Sequence, residues 1–266
     1  MNDKIKKQYP TWINDRNKNM CLSDDLDSLF SCLLLEKTLG YKITHFYNFG
    51  ALYKDITYIK DGTELIGVDI DMVKNYKCWG NHVTKSYNPN CANINNIKRI
   101  GTDTYTYKYA GSVLLQIISY YNIDISNLSE IAKMVLLAVD TTFKMYGFNK
   151  ANCKRYLVDI LELPQLYELC EIHKQSKFYE LIKKYKLYEH IKVNKDGILE
   201  TLLPLGELEV LFNMSFILPK NQFELIKNYK NIGLTEYQYD SKKDELKDRI
   251  LTKAWTGKYY IKLSYY

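Results

Sequence analysis

The stretch from residue 20 to residue 40 constrains this chain more than any other. An apolar lead-in, Met20, Cys21 and Leu22, runs into three carboxylates, Asp24, Asp25 and Asp27. A strongly apolar segment then extends from Leu29 and stops at Gly40. The pattern predicts a strand, an acidic turn and a helix closed by a C-terminal glycine. In an open α/β sheet, the loop at a strand's carboxyl end is where ligands bind. Asp25 and Asp27 can both point from such a turn toward one place, and hard oxygen donors so placed suit Mg²⁺ or Mn²⁺. The same carboxylates would also serve as plain helix caps, because free N–H groups and the helix dipole favour negative charge there.

The rest of the first half repeats the strand-then-acid pattern. Residues 41–49 (YKITHFYNF) are rich in β-branched and aromatic types and predict a second strand. Residues 54–63 predict a further short strand or a loop. Residues 64–68 form a short apolar strand that ends at Asp69-Ile70-Asp71, and residues 77–79 a fourth strand followed by Gly80-Asn81-His82-Val83. Residues 86–96 (SYNPNCANINN) predict a loop, since Asn and Pro favour turns. Apolar positions recur at helical spacing over 110–121 and 128–139, and the second of these helices leads into Asp140-Thr141-Thr142. Strands alternating with helices predict an α/β fold with a mainly parallel sheet and flanking helices. Acidic or His residues past three strands and one helix then gather at one sheet edge, which is more than capping requires.

Past residue 150 the character changes. Residues 156–188 predict lysine-rich helix, and 197–266 mix apolar runs with two candidate strands at 237–239 and 259–264. The expected organisation is a domain over 1–150, a helical connector over 151–195, and a small C-terminal α/β domain over 196–266. Lys174, Lys177, Lys183, Lys184 and Lys186 predict a solvated helix face, and His173 and His190 are expected on that face. His45 is expected to be structural, inside a strand, and Trp79 to pack in the core beside the site.

Composition sets the outer bounds. Of 266 residues, 46% are hydrophobic and 26% charged, which fits a globular chain with a real core. No apolar run approaches the roughly 20 residues of a membrane helix, and the polar first ten residues carry no signal-peptide core, so a cytoplasmic protein is expected. The six cysteines include no C-x-x-C pair, which argues against a zinc knuckle. A net charge of +6 permits a phosphate-bearing partner without demanding one.

The order of these motifs resembles the DHH phosphoesterase superfamily, which includes RecJ-like exonucleases, nanoRNA and cyclic-dinucleotide phosphodiesterases and family II inorganic pyrophosphatases. Its first motif, H-x-D-x-D-G-x-x-S, is matched at Asp25, Asp27 and Ser31 and departs at Ser23 and Ser28. Asp69 stands where the family has an Asp ending an apolar strand, with Asp71 the weaker substitute. The D-H-H motif corresponds to Asn81-His82-Val83, or in a second register to Gly80-Asn81-His82, with Ala92-Asn93-Ile94-Asn95 as the later loop. Gly111-Ser112 fits the start of the following helix, and Asp140-Thr141 fits the fourth motif, an Asp followed by Thr. The resemblance covers residues 17–150; the second half lacks the Gly-rich, His-containing motif of many members.

The resemblance implies two divalent ions, Mn²⁺ or Mg²⁺. Asp69 would bridge them, Asp25 would serve one, and Asp27, His82 and Asp140 the other. Ser23, Ser31, Asn81, Ser112 and Thr141 would surround the substrate. The expected activity is hydrolysis of a nucleotide, a short oligonucleotide or another small phosphate ester, with no membrane partner and with self-association left open. Ser23 and Val83, where the family has histidines, support an alternative: a protein of this fold that binds a nucleotide or a partner without turnover. A nucleic-acid-binding protein with no enzymatic site is a third reading, resting on the net charge and the lysine-rich connector.

Overall fold

The computed structural model describes residues 1–59 and 64–266. Its centre is a seven-stranded sheet. The first half of the chain contributes Asn19–Leu22 (β1), Lys42–Tyr47 (β2), Ala51–Asp55 (β3), Leu65–Val68 (β4), Cys78–Trp79 (β5) and Cys91–Ala92 (β6). A two-stranded hairpin, Ile191–Val193 (β7) with Leu199–Thr201 (β8), follows much later, and Phe223–Asn228 (β9) then returns to the central sheet. The order is β6-β5-β4-β1-β2-β3-β9. Strands β6, β5, β4, β1 and β2 pair in parallel, while β3 runs antiparallel to both β2 and β9.

Numbered among themselves, the five parallel strands run 5-4-3-1-2. This is a doubly-wound order, and its direction reverses between β1 and β4, so the binding crevice of such a sheet opens past the carboxyl ends of those two strands. The two strands are in register, with Leu22 opposite Val68, so the chain leaves both at one level.

The helices are Asp3–Lys6 (α1), Leu26–Leu39 (α2), Ile94–Ile97 (α3), Val113–Tyr120 (α4), Glu130–Ala138 (α5), Lys144–Phe148 (α6), Lys150–Lys154 (α7), Pro164–Ile172 (α8), Gln175–Lys184 (α9), Leu205–Phe212 (α10) and Glu236–Leu246 (α11). Helix α2 is apolar on nearly every face and buried accordingly, and it packs on α4. Gly40, at φ +72°, supplies its left-handed C-cap. Trp79 is fully buried among Tyr9, Trp12, Tyr120 and Tyr121. All six cysteines are buried thiols. Among the described residues, no helix is long and apolar enough to cross a membrane.

A second sheet, Lys230–Thr235 (β10), Ile250–Gly257 (β11) and Tyr260–Tyr265 (β12), is antiparallel in the order β10-β12-β11. It does not stand apart. Met72 bridges to Thr252 and Val83 to Trp255, and the Lys253 and Trp255 N–H groups donate to the carbonyls of Asp71 (3.1 Å) and Val83 (2.8 Å).

Four expectations need correction. Residues 237–239 lie in α11, not a strand: Thr235 and Gln238 form a capping box, and that local signal outweighs the β-preference of the tyrosines. The expected loop at 86–96 contains β6 and the start of α3, whose N-cap Asn93 accepts from the N–H groups of Asn95 and Asn96. His173 caps α8 and lies 3.1 Å from Glu130, while His190 lies beyond α9 and pairs with Asp24 at 3.2 Å, so neither is on a solvated helix face. The strands β7 to β11 were not anticipated. Of the strand-or-loop reading at 54–63, the first two residues end β3 and residues 60–63 lie outside the described residues.

Candidate metal centre

The turn after β1 is built by its own side chains. Asp25 is extended at φ −134° and N-caps α2, accepting from the Ser28 N–H at 3.0 Å. The Ser28 hydroxyl accepts from the Ser23 N–H at 2.7 Å and donates to the Val68 carbonyl at 2.7 Å. That one hydroxyl fastens the end of β1 to the end of β4. Asp27, buried in the first turn of α2, accepts from the N–H groups of Val113 (2.7 Å) and Leu114 (2.8 Å) and so holds the N-terminus of α4. Ser31 lies behind it, with Oγ 3.4 Å from Oδ1 of Asp27.

The other acidic positions sit on strained turns. Asp69 follows β4 at φ +57°, and Asp140 and Thr141 follow α5 at φ +51° and +52°. Left-handed backbone is uncommon outside glycine and is an outlier for a β-branched residue such as Thr. Strain of this kind persists where the surroundings over-determine it, often at functional sites. Here it brings one carboxylate oxygen each from Asp27, Asp69 and Asp140 to within 4.8 Å of one another.

Electrostatics follow from that crowding. Burial and the neighbouring Asp140 push the Asp25 carboxyl up to about 7. Burial, then Asp140 and Asp25, hold Asp27 well above the usual carboxylate range, against the pull of its two backbone donors. Burial and the charges of Asp25, Asp27 and Asp140 do the same to Asp69. Among the described residues, no Lys, Arg or His forms an ion pair with Asp25, Asp27, Asp69 or Asp140. An all-oxygen set without an ion-pair partner fits a hard divalent cation, Mg²⁺ or Mn²⁺.

Comparison of the chain with protein-family models, with curated proteins and with solved structures returns no match.

Around the carboxylates, the remaining candidates fall into distinct places. Asn81 donates its amide to Asp140 at 2.5 Å and to the Gly111 carbonyl at 3.1 Å, which fixes the amide and leaves its buried Oδ1 without a partner. His82 is half-buried; its Nδ1 lies 2.8 Å from Asp71. Burial opposes charge on that ring, but the Asp71 hydrogen bond and the charges of Asp71 and Asp140 outweigh it and raise its pKa. Ser112 is buried and N-caps α4, accepting from the Leu115 N–H at 3.2 Å. The Ser23 hydroxyl is buried without a partner, and Thr141 lines a cavity beside Asp140.

Sequence reasoning gave four contributors a lesser part or none. Asp71, given the lesser part, is buried and orients both His82 and Asn93, the latter donating to it at 2.9 Å. Its position two residues past Asp69 was visible, but not that it would turn toward His82. Asn93 also donates to the His82 carbonyl at 2.8 Å. His190 and Lys262 line the cavity over the cluster from the second half of the chain, and no local signal pointed to either. His45 is buried and structural as expected; burial, aided by Lys54, lowers its pKa to about 4.

Proposed function

We propose that this chain is a metal-dependent phosphoesterase acting on a nucleotide, a short oligonucleotide or another small phosphate ester. The observation that carries the reading is the convergence of the Asp27, Asp69 and Asp140 carboxylates within 4.8 Å at the switch point of the sheet. Asp25, Asp27, Asp69 and Asp140 would hold the metal. A divalent pair bound there supplies a water made nucleophilic near neutral pH and neutralises charge on the attacked phosphorus.

The chain's own residues prepare the place. Asp27 is locked by two backbone donors, and Asn81 restrains Asp140. His82, with Nδ1 engaged by Asp71, would offer Nε2 to a ligand or, when protonated there, give its Nε2 proton to the departing alcohol oxygen. Resemblance to the DHH phosphoesterases supports the assignment of roles along residues 17–150.

A second reading, a binding protein without turnover, is favoured by Val83. This residue is buried and bridged to Trp255, so it offers a phosphate nothing.

The test is calorimetric titration of chelator-stripped protein with Mn²⁺, followed by Mn²⁺-dependent hydrolysis of bis(p-nitrophenyl) phosphate. Asp69→Asn and Asp140→Asn are the comparison proteins, since Asn tolerates the left-handed backbone at both positions. Tight binding and turnover, with turnover reduced by about 100-fold or more in both variants, is the expected result. Tight Mn²⁺ binding with no turnover of any phosphoester would favour the binding protein. Absence of Mn²⁺ or Mg²⁺ binding would overturn both the metal and the chemistry built on it.

A further inference from the structure

Two cavities meet at Asp140, His82 and Thr256, and their charges are opposite. The one over the cluster, about 400 Å³, is lined by Asp24, Asp25, Asp69, Asp71 and Asp140. The other, about 430 Å³, has Asp140 as its single acid and contains Lys108 and Lys144. Its size lies within the roughly 300–1,000 Å³ usual for small-molecule sites.

The second chamber has three features that its packing leaves without a use. Phe148, the last residue of α6, stands at its wall 77% exposed, an expensive place for a phenyl ring. Tyr105 and Tyr109 lie in the opposite wall but are buried, so Phe148 is the exposed ring. Lys108 is half-buried, with its ammonium 3.0 Å from the Tyr105 hydroxyl, and among the described residues it has no carboxylate within ion-pair distance. A partly desolvated cation without a counter-ion is costly, and an anionic ligand would relieve that cost. Lys144 is exposed and forms no ion pair among the described residues; its ammonium lies 5.6 Å over the Tyr179 ring, a contact that a bound anion would have to replace. At the chamber's floor, Asn152 donates its amide to the Lys108 carbonyl at 3.0 Å, so its buried Oδ1 faces no donor.

We infer that this chamber is a substrate subsite for one nucleoside phosphate unit, with Phe148 stacking on the base and Lys108 and Lys144 taking the phosphate toward Asp140. The inference rests on the phosphoesterase reading for its purpose but not for its test. Aromatic stacking discriminates for any flat ring, and two lysines discriminate for an anion. Together they select a ligand carrying both, and the volume holds one such unit rather than a polymer. Phe148 and Lys108 are then specificity-determining residues.

The experiment measures binding by the full chain in the presence of chelator, so that no turnover occurs. The probes are AMP, ribose 5-phosphate and a 5′-phosphorylated thymidine tetranucleotide. Repulsion between phosphate and the carboxylates is common to AMP and ribose 5-phosphate and cancels between them. AMP is expected to bind about tenfold or more tightly than ribose 5-phosphate. Phe148→Ala should weaken AMP about fivefold or more while leaving ribose 5-phosphate unchanged, and Lys108→Met should weaken both. Circular dichroism and thermal melting establish that each variant is folded; Phe148 is exposed enough that its removal costs little. Equal affinity for AMP and ribose 5-phosphate, or AMP binding unaltered by Phe148→Ala, would overturn the subsite, and so would a tetranucleotide binding far more tightly than AMP. Metal-dependent hydrolysis of bis(p-nitrophenyl) phosphate with no AMP selectivity would sink this inference and spare the proposed function. Selective AMP binding by a protein that hydrolyses nothing would do the reverse.

Discussion

At the scale of single residues, the candidate centre is a set of carboxylates held together against their own repulsion. Burial and mutual charge raise Asp25 to about 7 and hold Asp27 and Asp69 well above the ordinary range. An acid whose pKa is higher folded than unfolded keeps its proton in the folded state after the unfolded chain has lost it. Stability then falls as pH rises from the ordinary value, about 4, through the raised one. His45, held at about 4, works the opposite way, adding stability as pH rises from about 4 to 6.5, but it is one group against three. The chelator-treated protein is therefore expected to melt at progressively lower temperature from about pH 5 to pH 8, and Mn²⁺ should remove most of that slope. Asp69→Asn should melt higher than the wild type without metal at pH 8 and respond less to Mn²⁺. A melting temperature independent of pH in chelator would show that these carboxylates do not repel one another as their positions require.

At the scale of elements, Asp27 and Ser112 both meet the start of α4, one from the first turn of the neighbouring α2 and one from within the chain just before it. Asp27 takes the N–H groups of Val113 and Leu114, and Ser112 takes that of Leu115. Ser112 was expected near substrate; its hydroxyl is instead committed to the helix it opens. Ser112→Ala should cost about 0.5–2 kcal/mol of stability in urea unfolding and leave Mn²⁺ affinity within about twofold of the wild type. A larger loss of affinity than of stability would return Ser112 to the site. The elements that carry the cluster were legible because each announces itself locally. Strand β1, its acidic turn and the glycine stop of α2 follow from adjacent residues, and so does the short apolar run into Asp69. What was not legible depends on distant partners. β6, inside the stretch expected to be a loop, is two residues long and exists as a strand only through its pairing with β5. Nothing near Asp71 indicates that it turns to His82, and nothing near Asn93 that it joins both. The tyrosines at 237 and 239 misled because β-preference measures fit to a sheet surface, whereas the Thr235–Gln238 capping box decides a helix start outright.

At the scale of the whole molecule, the second half of the chain is built into the first rather than appended to it. Strand β9 completes the central sheet beside β3. One apolar cluster contains Val73, Val83, Ile100 and Tyr105 from the first half and Leu234, Leu246, Trp255 and Ile261 from the second. The Tyr105 hydroxyl donates to the Trp255 carbonyl at 2.9 Å, joining a wall of the proposed nucleoside chamber to β11. Asp71 and His82 sit on the loops that β11 holds through the Met72–Thr252 and Val83–Trp255 bridges. Shared packing of this kind makes the halves fold together, because neither can bury its side of the cluster alone. Urea unfolding followed by circular dichroism and by tryptophan fluorescence is expected to give one coincident transition. Trp255, 2% exposed, should cost about 3–5 kcal/mol when replaced by Ala. Because β11 positions the Asp71–His82 pair, Trp255→Ala should also weaken Mn²⁺ binding under conditions where the protein remains folded. Two separated transitions, with Trp255→Ala shifting only one of them and Mn²⁺ affinity unchanged, would mean that the second half is an independent cap and that the loops bearing Asp71 and His82 hold their geometry without it.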